Sequence, residues 1–263
     1  MREANSSPPS QSPFIREKYK MRIDVYMTEN GMAESRSRAQ AMIAEGFVLL
    51  NGKEVKKPSV SVDGSDTVTV TEKLRFVSRG GEKLLGAIKE FKPEIEGKTC
   101  VDIGSSTGGF TDCLLQHGAK KVYAVDSGTD QLHPSIAEDT RVVKMEKTNA
   151  RTLTWETLGE KCDLAVMDVS FISQTLLYPA VKSVLKENGR FISLIKPQFE
   201  ANAKSLGSGG ILRDPKTRQR AVDGVLKEAE KQGLKLLSVT VSPITGGDGN
   251  TEYLAYFAVN TEE

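Results

Sequence analysis

Cysteine, histidine and tryptophan are scarce in this sequence, with three, two and one in 263 residues. Cys100, Cys113 and Cys162 are odd in number, widely spaced and set in apolar stretches. That excludes a disulfide scaffold and suits buried thiols in a reducing compartment. No metal site is implied. Long apolar runs are missing as well: nothing approaches the roughly 20 residues needed to cross a bilayer, so no membrane association is expected. An excess of one charge is also absent, because 36 Lys and Arg against 35 Asp and Glu leave a formal net charge of +1. Composition therefore announces no polyanionic partner, and any basic surface must be local. Residues 1–19 are rich in Ser and Pro and lack the apolar core of a secretory signal, so they read as a disordered tail of a cytoplasmic protein.

What is present, 38% hydrophobic and 27% charged residues, describes an ordinary globular chain. Its length suggests a small domain and a larger one. Over residues 20–77 the pattern predicts two helices and a small sheet. Ile23, Tyr26 and Met27 recur at helical spacing and stop at Gly31; Ser35 can cap a second helix whose stripe is Ala39, Met42 and Ile43, closed by Gly46. Arg36 and Arg38 fall in the first turn of that helix, where cations oppose the macrodipole unless an anion lies in front of them. With Lys53, Lys56 and Lys57 they make a candidate phosphate-binding surface, against the alternative of a solvated charged face. The stretch from Arg22 through SRSRAQAMIAEGFVLLNGKEVKKPS resembles the S-four RNA-binding domain over about 50 residues. The resemblance implies recognition of structured RNA by shape and backbone.

From residue 78 to 263 the pattern alternates between helix and strand, which predicts an α/β domain with a doubly wound, Rossmann-like sheet. Seven strands are expected, at TCVDIG, KVYAVD, RVVKME, DLAVMD, RFISLIKP, KLLSVTVSP and YLAYFAV, the last two joined as an antiparallel hairpin through ITGGDGN. Leu176, Leu177, Ala180, Val181, Val184 and Leu185 form one of the intervening helical stripes. Trp155 reads as a packing residue, and the Gly/Ser-rich segment ANAKSLGSGGILRD as either a mobile lid or an uninvolved loop.

The first of these strands runs into VDIGSSTGGFTD. Gly104, Gly108 and Gly109 allow a sharp turn and close approach of a ligand at the carboxyl edge, with Ser105 and Phe110 in the same turn. The G-x-G-x-x-G spacing and the P-loop lysine are both missing. Asp102 supplies a carboxylate suited to an amino acid's ammonium, and Asp126, ending the second strand, suits two ribose hydroxyls. Amine plus ribose describes S-adenosylmethionine. Asn149 is a candidate for the adenine, or simply a turn residue. The fourth strand ends in MDVSF, with Asp168 but without the Pro-Pro-aromatic of amine methylation or a nucleophilic cysteine; the fifth ends in SLIKPQFE, leaving Lys196 at the same edge. Lys83 and Glu252 are expected to reach this edge too. Methylating a ribose hydroxyl needs an oxygen nucleophile, and a partly desolvated lysine held by carboxylates can stabilise the forming alkoxide or accept its proton.

The order of SRGGEKL, VDIGSSTGGFTD, VDSGTDQL, KTNAR, MDVSFIS, IKPQFE and GNTEY behind the S-four module resembles the TlyA/hemolysin A family of ribosomal RNA 2'-O-methyltransferases, whose catalytic domain is similar to FtsJ/RrmJ-type enzymes. The resemblance places the family's tetrad on Lys83, Asp168, Lys196 and Glu252, and implies ribosomal RNA or ribosomal subunits as partners. Two other readings compete: a membrane-active hemolysin, which no signal peptide or cationic amphipathic helix supports, and an RNA-binding protein with an inactive methyltransferase domain, which the intact tetrad opposes.

Overall fold

The computed structural model describes residues 20–259. The tail expected over residues 1–19 lies outside the described residues. Two compact units meet between Leu74 and Arg75, three residues before the expected boundary. The reason is packing: Phe76 is buried with Leu84 and Phe110 in the core of the second unit, and the Val77 N–H donates to Asp112 at 2.8 Å.

The first unit runs β1 (Met21–Arg22), α1 (Ile23–Glu29), α2 (Arg36–Ala44), β2 (Val48–Leu50), β3 (Lys53–Glu54), β4 (Ser61–Val62) and β5 (Val68–Val70). Ser35 caps α2 by accepting the Arg38 N–H at 3.3 Å, as its residue type predicts. Ile23 and Met27 of α1 pack with Ala39, Met42 and Ile43 of α2 over Val48 and Val68. The sheet is antiparallel in the order β3-β2-β5, and β1 pairs with β4 in a separate short ribbon that the sequence pattern did not announce.

The second unit contains α3 (Gly80–Phe91), β6 (Thr99–Ile103), α4 (Gly109–Gln116), β7 (Lys121–Val125), α5 (Pro134–Ala137), β8 (Val142–Met145), α6 (Trp155–Leu158), β9 (Cys162–Met167), α7 (Tyr178–Val184), β10 (Leu185–Ile195), α8 (Pro197–Glu200), α9 (Pro215–Lys231), β11 (Leu234–Val241) and β12 (Tyr253–Val259). All seven expected strands are present, in one sheet of order β11-β12-β10-β9-β6-β7-β8. Only β12 runs antiparallel to its neighbours, between β10 and β11. Successive strand residues feed opposite layers: Val101 and Ile103 face one core cluster with Phe191 and Phe257, whereas Cys100 faces the other with Leu84 and Leu114. Burial on both faces is why the central strands β6, β7 and β9 read as near-continuous apolar runs, whereas the edge strand β11 alternates buried or half-buried residues with exposed ones.

Three expectations about packing fail. Leu185 does not close a helical stripe but opens β10, pairing with Cys162, and Leu176 sits in a 3₁₀ turn half exposed. Trp155 opens the one-turn helix α6 with 42% of its surface exposed, too far out to be a core residue.

Candidate active site

The carboxyl ends of β6 and β9 adjoin where the strand order reverses, the place where doubly wound sheets bind ligands. Gly104 makes the adjoining possible. Its φ is +84°, and a Cβ there would lie 2.5 Å from the Asp168 carbonyl oxygen, so any side chain would force the two strand ends apart. A Cβ on Gly109 would overlap Ser78 Oγ, which lets α4 start tight against the turn before α3.

Two cavities open at this edge. The larger, about 440 Å³, is lined by Gly104, Ser106, Asp126, Thr148, Asn149 and Asp168, together with Phe171. The smaller, about 160 Å³, is lined by Ser105, Gly109, Phe110, Ser170 and Lys196 and shares Gly104, Ser106 and Asp168 with the first. They are adjoining parts of one cleft.

Asp102 lies on the α4 side of β6, fully buried below this turn and outside both walls. Its Oδ2 accepts the Thr111 hydroxyl at 2.7 Å, and its Oδ1 has no hydrogen-bond partner among the described residues. Burial pushes its carboxyl up to about 7. Ser105 Oγ is also buried and without a partner there. Asp126, which lines the larger cavity, is fixed by backbone donors, from Ser106 at 2.8 Å and Gly128 at 2.7 Å, one on each oxygen. Asn149 lines the same cavity, and its Oδ1 caps the following turn by accepting the Arg151 N–H at 3.0 Å. Gly108 has a φ of +92° and starts α4 rather than forming a cavity wall.

The four residues of the expected tetrad form two ion pairs. Lys196 Nζ is 2.5 Å from Asp168 Oδ1, and Lys83 Nζ is 2.6 Å from Glu252 Oε2. Register brings the pairs to the same edge: Ile195 lies opposite Tyr253, so Lys196 and Glu252 leave neighbouring strand ends side by side. Lys196 and Asp168 stand in the cavity wall, 12% and 20% exposed, whereas Lys83 and Glu252 are buried and line neither cavity. Ser170, which sequence reasoning passed over, accepts a hydrogen bond from Lys196 Nζ at 2.8 Å. Its only sequence signal is a place two residues after Asp168. Phe171 was also missed: it holds a φ of +63°, leans on Phe199 with ring centroids 5.0 Å apart, and is 91% exposed beside the larger cavity. An aromatic in the left-handed region is strained, which marks this loop as shaped for something other than stability. The later part of the ANAKSLGSGGILRD segment is bonded to the buried Asn250, which donates to Gly210 O at 3.1 Å and accepts the Leu212 N–H at 2.8 Å.

In the first unit Lys53, Lys56 and Lys57 surround one open concavity of about 600 Å³. The anions in front of the α2 arginines are the protein's own. Arg36 reaches Asp24 Oδ2 at 3.3 Å and Arg38 approaches Glu34 at 3.9 Å, which explains how two cations are tolerated in a first helical turn. Asp24 is completely buried and also receives both a 2.9 Å and a 3.0 Å bond from Arg22 and a 2.7 Å bond from Gln40. The Arg22 guanidinium holds the Asp24 carboxyl well below the usual carboxylate range.

Residues 76–258 match the model of the FtsJ-like methyltransferases, and residues 21–68 match the S4 domain. The chain is 40% identical to the 16S/23S rRNA (cytidine-2'-O)-methyltransferase TlyA of Mycobacterium tuberculosis over 92% of this chain and 91% of that protein. It is 43% identical to Hemolysin A of Brachyspira hyodysenteriae over 91% of this chain and all of that one. A solved structure from Streptococcus thermophilus that carries a hemolysin label superposes with a TM-score of 0.73 at 39% identity, covering 92% of this chain and 90% of the other. Among the described residues no helix is long and apolar enough to cross a membrane.

Proposed function

The chain belongs to the family of FtsJ-like methyltransferases, and on that premise we propose that it methylates a ribose 2'-hydroxyl of ribosomal RNA in the cytoplasm, using S-adenosylmethionine. The carrying observation is the Lys196–Asp168 pair in the wall of a cleft built on Gly104. An amine-bearing side chain there can serve an oxygen nucleophile, while the wall holds neither a cysteine for pyrimidine-carbon chemistry nor the paired prolines of amine methylation. The relative of known specificity in name, TlyA, is a cytidine-2'-O enzyme, and its likeness extends over both units.

The residues present fit the cofactor. Asp126 presents fixed acceptor oxygens suited to ribose hydroxyls, the orphaned Asp102 Oδ1 and Ser105 Oγ offer buried acceptors near the turn, and Gly104 keeps the floor free of side chains. Once bound, S-adenosylmethionine supplies an electrophilic methyl group on a sulfonium. The chain's own residues then orient the acceptor. Asp168 and Ser170 fix the Lys196 amine from two directions, leaving its remaining position toward the smaller cavity for the ribose oxygen. As an ammonium Lys196 stabilises the forming alkoxide, and it can take the hydroxyl proton only after ceding one of its own to Asp168; the Lys83–Glu252 pair braces α3 against the same edge. The exposed Phe171 ring provides an apolar face on which an unstacked base can lie, as single-stranded RNA recognition requires. The first unit, with its lysine-lined concavity, holds the RNA. Mass-spectrometric mapping of ribose methylation in ribosomal RNA from cells with and without the protein tests this reading. A missing 2'-O-methyl nucleoside is expected, whereas a missing methylation on a base nitrogen or carbon would overturn it.

A further inference from the structure

We propose that Asp24 is a positioning residue for RNA binding: one buried carboxylate holds the half-exposed guanidinium groups of Arg22 and Arg36 together as a preformed phosphate-binding pair. The inference rests on reading the first unit as RNA-binding and names a residue that acts through others. A carboxylate on a surface meant for a polyanion is at first sight a liability, and a solvated one would simply weaken binding. Asp24 is placed differently. It has no exposed surface, whereas Arg22 and Arg36 keep 47% and 56% of their side chains exposed. Arg22 uses Nε and one terminal nitrogen on Asp24, and Arg36 uses one terminal nitrogen, so both forks retain N–H donors that are not spent on the carboxylate. Gln40 adds a 2.7 Å bond from the neighbouring turn of α2, and the Val25 N–H adds one at 3.1 Å, which fixes the carboxylate itself. Two guanidinium groups side by side repel each other and would splay without this bridge. Held by it, the cluster of two cations and one anion carries one net positive charge and two oriented forks, the geometry that planar recognition of phosphate uses.

The sign of the mutational effect separates this role from simple electrostatics. Removing one negative charge near bound phosphate should by Coulomb attraction alone tighten RNA binding about twofold. Loss of positioning should instead weaken it. The full chain and its Asp24→Asn variant, which preserves side-chain volume, are titrated with a fluorescein-labelled RNA stem-loop over a series of salt concentrations. Circular dichroism and S-adenosylhomocysteine binding are measured on the same samples to establish that both units are folded. We expect Asp24→Asn to lose about tenfold in RNA affinity and to flatten the slope of log K against log salt by about one to two units, as phosphate contacts are lost. In an Arg22→Ala/Arg36→Ala background the same substitution should change nothing, because its effect passes through those arginines. Tighter or unchanged binding by folded Asp24→Asn, or an equal loss in the arginine-free background, would overturn the inference. If wild type itself shows no salt-dependent RNA binding, the reading of the first unit fails instead, and the two outcomes are distinct. Should Asp24→Asn fail to fold, Gln40→Ala removes one support of the carboxylate and is expected to weaken binding in the same direction; unchanged binding by that variant would then refute the role.

Discussion

If Asp102 holds the ligand's ammonium as proposed, its carboxyl links cofactor binding to pH in a way that can be worked out in advance. It is fully buried, bonded on one oxygen by Thr111, and raised to about 7 by burial. A carboxyl raised in the folded state holds its proton longer than in the unfolded chain. Without cofactor it therefore favours folding at low pH, and that contribution fades as pH climbs from the ordinary value of 3.8 toward about 7. An ammonium ligand reverses the preference, since only the ionised carboxylate attracts it. Taking about 7 as the midpoint, half of the carboxyl is ionised at pH 7 and about 3% at pH 5.5, a ratio of about 16, or ~1.6 kcal/mol of binding free energy. The ligand's own amine stays charged throughout that window. Calorimetric titration with S-adenosylhomocysteine should thus show affinity rising about 16-fold from pH 5.5 to pH 7 in wild type, while Asp102→Asn binds weakly and with no such rise. A flat wild-type profile, or the same slope in Asp102→Asn, would refute the assignment of Asp102 to the ligand's ammonium and leave it as a structural acid bonded to Thr111.

Three further outcomes are expected. Lys196→Ala should keep the fold and cofactor affinity yet lower single-turnover methylation by roughly 10²- to 10⁴-fold, and Lys196→Arg should fail as well because a guanidinium cannot accept the proton; an active arginine variant would make the residue an electrostatic clamp, and two active variants would remove it from catalysis. Asp126→Ala should cost about 1.5 to 3 kcal/mol of cofactor binding by calorimetry, and unchanged affinity would sink its ribose role. Gly104→Ala, forced into a φ of +84° with its Cβ against the Asp168 carbonyl, should lower the unfolding free energy by ~1 to 3 kcal/mol in a denaturant titration and abolish cofactor binding; a variant as stable as wild type would show that the strand ends part more easily than their contact implies.

Local signals carried far in this chain. Capping by Ser35, the glycine stops at 31 and 46 and all seven large-domain strands were legible, because each depends on residues adjacent in sequence or on a local apolar pattern, continuous in the central strands and alternating in the edge strand β11. The Gly104 turn was legible for the same reason: a left-handed glycine after a buried strand is a local requirement. Leu185 was misassigned because a short apolar run fits helix and strand equally, and its pairing with Cys162 on β9 settled the matter. The boundary after Leu74 depended on Phe76 finding a pocket beside Leu84 and Phe110, which no periodicity reveals.

By itself, the sequence determined which chemical groups stand at the carboxyl edge: Asp102, Asp126, Asp168 and Lys196 each end or nearly end a strand, and strand ends are read from pattern. Which group each of them meets was left to the tertiary structure. Lys196 takes Asp168 and Ser170, and Lys83 takes Glu252 across most of the chain's length. In the first unit Asp24 draws Arg22, Arg36 and Gln40 onto itself from β1 and α2. Charged side chains choose partners by distance and burial, and both are set by strand register and helix packing between residues far apart in the chain, so the ion pairs could be expected as a set but assigned only in three dimensions.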